Sequence, residues 1–294
     1  MIRVAGWQYP IEKLESFDAW KTKLAAGAAE AARGGAGLLV MPEYASMELT
    51  SLLHPAQQAT LPAQLAGLQP LLEPYRAAIV EAARVNEILI VGGSFPEYVD
   101  GVYRNRLRVV GPSGTEVLVE KLVMTRFERE KWGIAGGSAQ AVIEHGSLKL
   151  GVAICYDSEF PLIARRLVEA GANVLAFPSC TDSLAGYHRV RVASAARALE
   201  NQCYAIQVPT VGEAAWSIAV DSNIGCAGVF APSDHGFPDD GVVALGTLNA
   251  PQILIADLDL DKVDQARRDG GVLNHRHWAE PAHLAGTVTP VKLG

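Results

Sequence analysis

Cysteine is scarce in this chain of 294 residues, and none of its four, Cys155, Cys180, Cys203 and Cys226, forms a CxxC pair. That spacing excludes a disulfide-stapled scaffold and a zinc ribbon, both of which need closely paired cysteines. The thiols are therefore read as reduced. No HExxH, GxSxG, GxxxxGK[ST] or strand-preceded GxGxxG occurs, so the usual marks of zinc peptidases, serine hydrolases and nucleotide binders are missing. Gly34-Gly35-Ala36-Gly37 and Gly136-Gly137 read as turns, His275 and His277 as solvated, and no metal or cofactor is expected. There is no run of 18 apolar residues to span a bilayer, and MIRVAGWQ at the start lacks the basic segment of a signal peptide. A soluble, cytoplasmic protein is expected. Basic charge is also short, 25 Lys and Arg against 32 Asp and Glu for a net −7, which argues against nucleic acid or an anionic membrane as partner. Small molecules and proteins remain.

What the chain does have is 49% hydrophobic residues and 28 glycines without a period, the composition of a globular protein. Short aliphatic runs alternate with amphipathic stretches, which predicts an α/β architecture. Strands are expected over Ile2 to Trp7, Leu38 to Met41, Ile88 to Val91, Leu148 to Ile154, Val174 to Phe177, Tyr204 to Val208, Ser217 to Val220, Ala227 to Phe230 and Ile253 to Leu258. A hairpin is expected from Leu107 to Val119 around Pro112-Ser113-Gly114. Helices are expected over Phe17 to Arg33, with Ser16 as cap and Gly34-Gly35 as stop, Leu71 to Asn86, Pro161 to Ala170 and Tyr187 to Asn201. No repeat or linker divides the chain, so residues 1–270 are read as one domain and 271–294 as an arm or tail.

Three strand ends carry reactive side chains: Pro42-Glu43, Glu120-Lys121 and Ile154-Cys155. In open α/β sheets the carboxyl ends of strands line the ligand crevice, which would bring a carboxylate, an ammonium and a thiol together. The combination is chemically coherent. A Glu can take a thiol proton, and a Lys can stabilise a thiolate and the oxyanion of a tetrahedral intermediate. Cys155 also precedes the helix at Phe160, whose positive end is expected to lower the thiol pKa. The competing reading makes Cys155 a small buried hydrophobe.

The segments MPEYAS around Glu43, EKLVMTRFERE around Lys121 and GVAICYDSEFP around Cys155 resemble the three signature blocks of the nitrilase superfamily of carbon-nitrogen hydrolases. Their order and gaps agree with that family, and the similarity continues through GANVLAFPS and RALENQCYAIQ. The resemblance implies a four-layer α-β-β-α sandwich, a Glu43-Lys121-Cys155 triad without metal or organic cofactor, and assembly as a homodimer or larger homo-oligomer. It also implies a second glutamate shortly after the lysine. Glu128 fits, with Glu130 as competitor, and its implied task is to position Lys121 and the substrate nitrogen. Tyr156-Asp157 after the nucleophile is similar to amidase and carbamoylase branches, whereas nitrilases tend to have Trp and Glu there. The family's frequent Arg after Cys-Tyr-Asp is replaced in Ser158-Glu159-Phe160.

The resulting expectation is a hydrolase of a small amide or N-carbamoyl compound that works through a thioester, with Lys121 and the Tyr156 backbone N–H holding the oxyanion. The rivals are a nitrilase, an acyltransferase using the same thioester, and a non-catalytic oligomeric scaffold. Cys180 is expected near the crevice but not as nucleophile. His188, Arg189, Arg191 and Arg197 read as a solvated helix face with Glu200 as counter-charge. The apolar residues spread around the helices Pro161 to Ala170 and Tyr187 to Asn201 are expected to pair with a second copy.

Overall fold

The computed structural model describes residues 1–284 and 286–293. The first half of the chain runs β1 (Ile2–Pro10), α1 (Phe17–Arg33), β2 (Leu38–Val40), α2 (Pro55–Gln58), α3 (Leu61–Leu68), α4 (Leu72–Asn86) and β3 (Leu89–Val91). There follow β4 (Phe95–Val99), β5 (Val102–Val110), β6 (Glu116–Glu120), β7 (Ile134–Ala135), β8 (Val142–His145) and β9 (Leu148–Val152). Next come α5 (Pro161–Glu169), β10 (Val174–Ser179), α6 (Leu184–Asn201), β11 (Tyr204–Glu213), β12 (Ser222–Asn223), β13 (Gly228–Phe230) and β14 (Val242–Leu245). The chain closes with β15 (Gln252–Leu258), α7 (Leu260–Asp269), α8 (Asn274–His277) and α9 (Glu280–Leu284).

One sheet has the order β6-β5-β3-β2-β1-β15, with β4 continuing along β5 beyond β3. The other has the order β8-β9-β10-β11-β13-β14. They meet at a corner where the end of β1 pairs in parallel with β11, Tyr9 beside Thr210 and Pro10 beside Val211. Strand side chains alternate between faces, and the two faces of each sheet enter different cores. Val4, Leu38 and Val40 of the first sheet meet Leu150, Val174, Ile206 and Val208 of the second in one buried cluster between the sheets. The opposite face of the first sheet sets Ala5, Trp7, Leu39 and Met41 against Trp20, Leu24 and Ile79 of α1 and α4. That of the second sets Leu175, Phe177 and Ala205 against Ala164, Leu167 and Ala198 of α5 and α6. The result is a four-layer α-β-β-α sandwich, which requires strands apolar on both faces. Each Val or Leu fully buried in it contributes about 1.5–3 kcal/mol.

Local signals set the boundaries. Ser16 Oγ caps α1 by accepting the Ala19 N–H at 3.0 Å, and Gly35 ends it with φ +79°. Gly27 lets α1 lie directly on β1, since a Cβ there would meet the Trp7 ring at 2.3 Å. Helix α6 starts before Tyr187, at Leu184, because Ser183 accepts the Gly186 N–H. Two expectations fail. Ser217 to Val220 is an irregular, bent segment and not a strand, and Ile218, Ala219 and Val220 line a cavity. Arg197 is buried, not solvated: it donates to the Ser158 carbonyl and pairs with Glu200 at 2.6 Å. No helix among the described residues is long and apolar enough to cross a membrane.

Candidate active site

Glu43 stands three residues past β2, Lys121 directly past β6, and Cys155 three residues past β9, at the start of a 3-10 turn over Cys155–Glu159. The carboxyl ends of these strands converge from both sheets on one cavity of 690 Å³. Glu43, Lys121, Glu128, Cys155 and Tyr156 all line it. Cys155 holds φ +50°, a left-handed conformation that a side chain adopts only under constraint.

Lys121 Nζ donates to Glu43 Oε1 at 2.8 Å and to Glu128 Oε2 at 2.6 Å, and all three side chains are buried. Glu43 Oε1 also accepts Asn105 Nδ2 at 2.9 Å, and its Oε2 accepts the backbone N–H of Cys180 at 3.1 Å. Glu128 has the richer set of donors: the Tyr44 hydroxyl at 2.7 Å, the Thr125 N–H at 2.9 Å and the Thr125 hydroxyl at 2.8 Å. It lies on a single π-helical turn, Glu128–Trp132. Glu130, its competitor in the sequence, is exposed and pairs with Arg126 at 2.9 Å.

This difference in donors separates the two carboxylates. Burial lifts Glu43 to about 7, against the pull of Lys121 and with the push of Glu128. Burial also works on Glu128, but Lys121, the Tyr44 hydroxyl and the Thr125 N–H bring it below its ordinary value. Burial opposes the Lys121 charge, yet Glu128 and Glu43 outweigh it and hold the ammonium well above its usual range. A carboxylate that takes up a proton near neutrality beside one that stays ionised is the pattern of a proton carrier and a charge holder. The thiol departs from expectation. Burial and the Glu43 charge push Cys155 well above the ordinary thiol range, with Lys121 only partly opposing them. Burial, the largest influence on the sulfur, works against its charged form.

Cys180 also lines the cavity, its thiol raised to about 12 by burial and Glu43. Tyr156 is half-buried and packs edge-on against Phe160, with ring centroids 4.9 Å apart. Trp132 packs on Tyr44 at 4.7 Å as an aromatic wall, and Ile218 and Val220 close the other side. Asn105, Tyr44 and Thr125 were not singled out by the sequence motifs. Asn105 alone had a legible signal, a polar residue sharing the buried face of β5 with Leu107 and Val109. Among the described residues, no group of three or more His, Cys, Asp or Glu side chains could hold a metal ion.

The arrangement has relatives. The chain is 32% identical over 271 residues to the "Probable hydrolase YhcX" of Bacillus subtilis, covering 92% of this chain and 52% of that one. It is 33% identical over 143 residues to the deaminated glutathione amidase of Bos taurus, covering 49% of this chain and 40% of that one. It thus spans about half or less of the length of these curated relatives. In fold it is similar to Saccharomyces cerevisiae Nit3, a member of branch 10 of the nitrilase superfamily, with TM-score 0.71 at 20% identity, covering 91% of this chain and 93% of that one. The carbon-nitrogen hydrolase family matches residues 3–268, and with that match over nearly its whole length the chain belongs to the carbon-nitrogen hydrolase family.

Proposed function

We propose that this protein is an amidase that hydrolyses a small amide or N-carbamoyl compound through a cysteine thioester. The observation that carries this reading is the Lys121 ammonium held between Glu43 and Glu128 on the cavity that Cys155 lines. With its thiol pKa raised, Cys155 rests as the neutral thiol, so its proton leaves as the sulfur attacks. Glu43 takes that proton while the carbon–sulfur bond forms, and the oxyanion is held by Lys121 Nζ and the Tyr156 backbone N–H. Glu43 then gives the proton to the departing nitrogen as the carbon–nitrogen bond breaks. In the second half-reaction Glu43 accepts a proton from water, hydroxide adds to the thioester, and the proton returns to the sulfur as the acid leaves. Glu128 stays ionised and orients Lys121 and the substrate nitrogen.

Amides are favoured over nitriles by Tyr156-Asp157 and by the amidase among the relatives. The test is ammonia release from a panel of matched amides, N-carbamoyl compounds and nitriles, alongside iodoacetamide labelling of the thiol. Higher kcat/KM on the amides supports the reading. Higher kcat/KM on the nitriles would reverse the substrate class, and no release from any of them would leave the scaffold rival standing.

A further inference from the structure

One buried carboxylate takes no part in the chemistry above, yet it lies between the two halves of the site. Asp157 is fully buried on the turn Cys155–Glu159, two residues after the nucleophile. Its Oδ2 accepts the Leu122 N–H at 2.9 Å and its Oδ1 the Val123 N–H at 2.8 Å. These are the two residues that follow Lys121. A carboxylate withdrawn from water is tolerated only where donors replace the solvent, and here each oxygen meets one main-chain donor.

The lysine segment is otherwise tied to its own sheet and flank. The Lys121 N–H donates to the Asn105 carbonyl at 3.0 Å, and the Lys121 carbonyl accepts from Gly137 at 2.8 Å. Among the described residues, the two bonds from Asp157 are the only hydrogen bonds between segment 121–125 and the turn 155–159. On the other side of that connection stands Cys155, in a strained left-handed conformation that needs outside support. Sheet-to-sheet packing is non-directional and sets no distance to within an ångström, whereas a two-bond contact to consecutive amides does.

We propose that Asp157 is a positioning residue: its carboxylate clamps the main chain after Lys121 to the nucleophile turn and so fixes where the ammonium stands relative to the sulfur. Burial lifts Asp157 to about 6 against the pull of the Leu122 and Val123 amides, so at neutral pH and above the clamp is ionised and its bonds are charge-assisted. The consequence for turnover rests on the amidase reading, but the consequence for thiol reactivity does not.

The test is Asp157→Asn, which keeps the shape but turns an amide donor toward one of the two N–H groups. In a thioester enzyme kcat per titrated thiol should fall about 100-fold, the effect of roughly 1 Å of misplacement, with KM nearly unchanged and one thiol still titrating per folded chain. Independently of any substrate, the iodoacetamide rate at Cys155 at pH 8 should fall about tenfold as the ammonium withdraws. The sign is diagnostic. If Asp157 acted only as a nearby negative charge, its removal would favour the thiolate and raise that rate. An unchanged or increased alkylation rate at full thiol count would overturn the proposal. Should Asp157→Asn not fold, Asp157→Glu keeps the charge and both acceptors on a longer arm. Slower alkylation at full thiol count then supports the clamp, and a wild-type rate overturns it. A wild-type protein that turns over no amide or nitrile removes the amidase reading alone, since the alkylation comparison still stands.

Discussion

Glu43 Oε2 accepts the backbone N–H of Cys180 at 3.1 Å, across 137 residues of chain. The bond holds the carboxylate of the proposed base at the end of β10 and uses no atom of the Cys180 side chain. Cys180→Ala should therefore slow turnover by less than about tenfold, whereas Cys155→Ala should abolish it without loss of fold. Cys155→Ser should be close to inactive, because a carboxylate matched to a thiol is a poor base for a hydroxyl of much higher pKa. Steady-state rates and circular dichroism of the three variants check this. Activity retained by Cys155→Ala but lost in Cys180→Ala would move the nucleophile.

In the proposed mechanism the proton affinity of Glu43 sets the acid side of the pH profile. With Glu43 lifted to about 7 by burial, the base is ionised above that pH and protonated below it. Hence kcat/KM should rise with pH through about 7 and then level off. Glu43→Gln should remove both half-reactions. Asn105→Asp places a third carboxylate beside Glu43 and Glu128, in the position of an amide that now donates to Glu43 at 2.9 Å. Like charge raises a carboxylate pKa, so the acid limb should move up by about one unit or more. A limb that stays put or moves down would show that Glu43 does not govern it.

Glu128 has a different task and should fail differently. Glu128→Gln removes a charge that Lys121 meets at 2.6 Å but leaves Glu43 beside the thiol. Iodoacetamide should still label Cys155 stoichiometrically while amide turnover drops on the order of 100-fold, as expected for lost orientation. Equal loss of labelling and turnover would assign Glu128 to proton transfer.

Ile163, Leu167, Val168 and Val190, among the apolar residues spread around α5 and α6, are buried within the subunit. Leu162 and Val192, each 65% exposed, and Leu199 at 43% are not. We propose that these three seat a second copy of the chain. Light scattering at micromolar concentration should give at least twice 31.3 kDa, and Leu162→Asp combined with Val192→Asp should return a monomer. A stable, fully active wild-type monomer would end this proposal.

The sequence made the strand ends readable because Glu43, Lys121 and Cys155 each close an aliphatic run, and such runs are what a doubly covered sheet demands. It did not reveal Asn105 or Tyr44 in their roles, since their task depends on carboxylates 62 and 84 residues away in sequence. Ser217 to Val220 misled because a short apolar run looks the same whether it pairs in a ladder or walls a cavity. Arg197 misled because helical periodicity says which residues share a face, not whether a neighbouring turn such as Cys155–Glu159 covers it. The pKa of Cys155 was out of reach for a related reason: burial, the largest influence on it, is a property of the assembled site.

Glu43 and Lys121 leave strands of one sheet, and Cys155 and Cys180 leave strands of the other. Neither sheet carries a base and a thiol of its own. Under the proposed mechanism, turnover therefore reports on closure of the sandwich, not on the presence of its sheets. A partly opened form that kept both ladders but let the inner faces slide by a fraction of an ångström would fall silent while its circular dichroism still looked native. Under mild denaturant, loss of activity is expected to precede loss of secondary structure and to recover fully on dilution, so catalysis becomes an early sensor of strain between the layers.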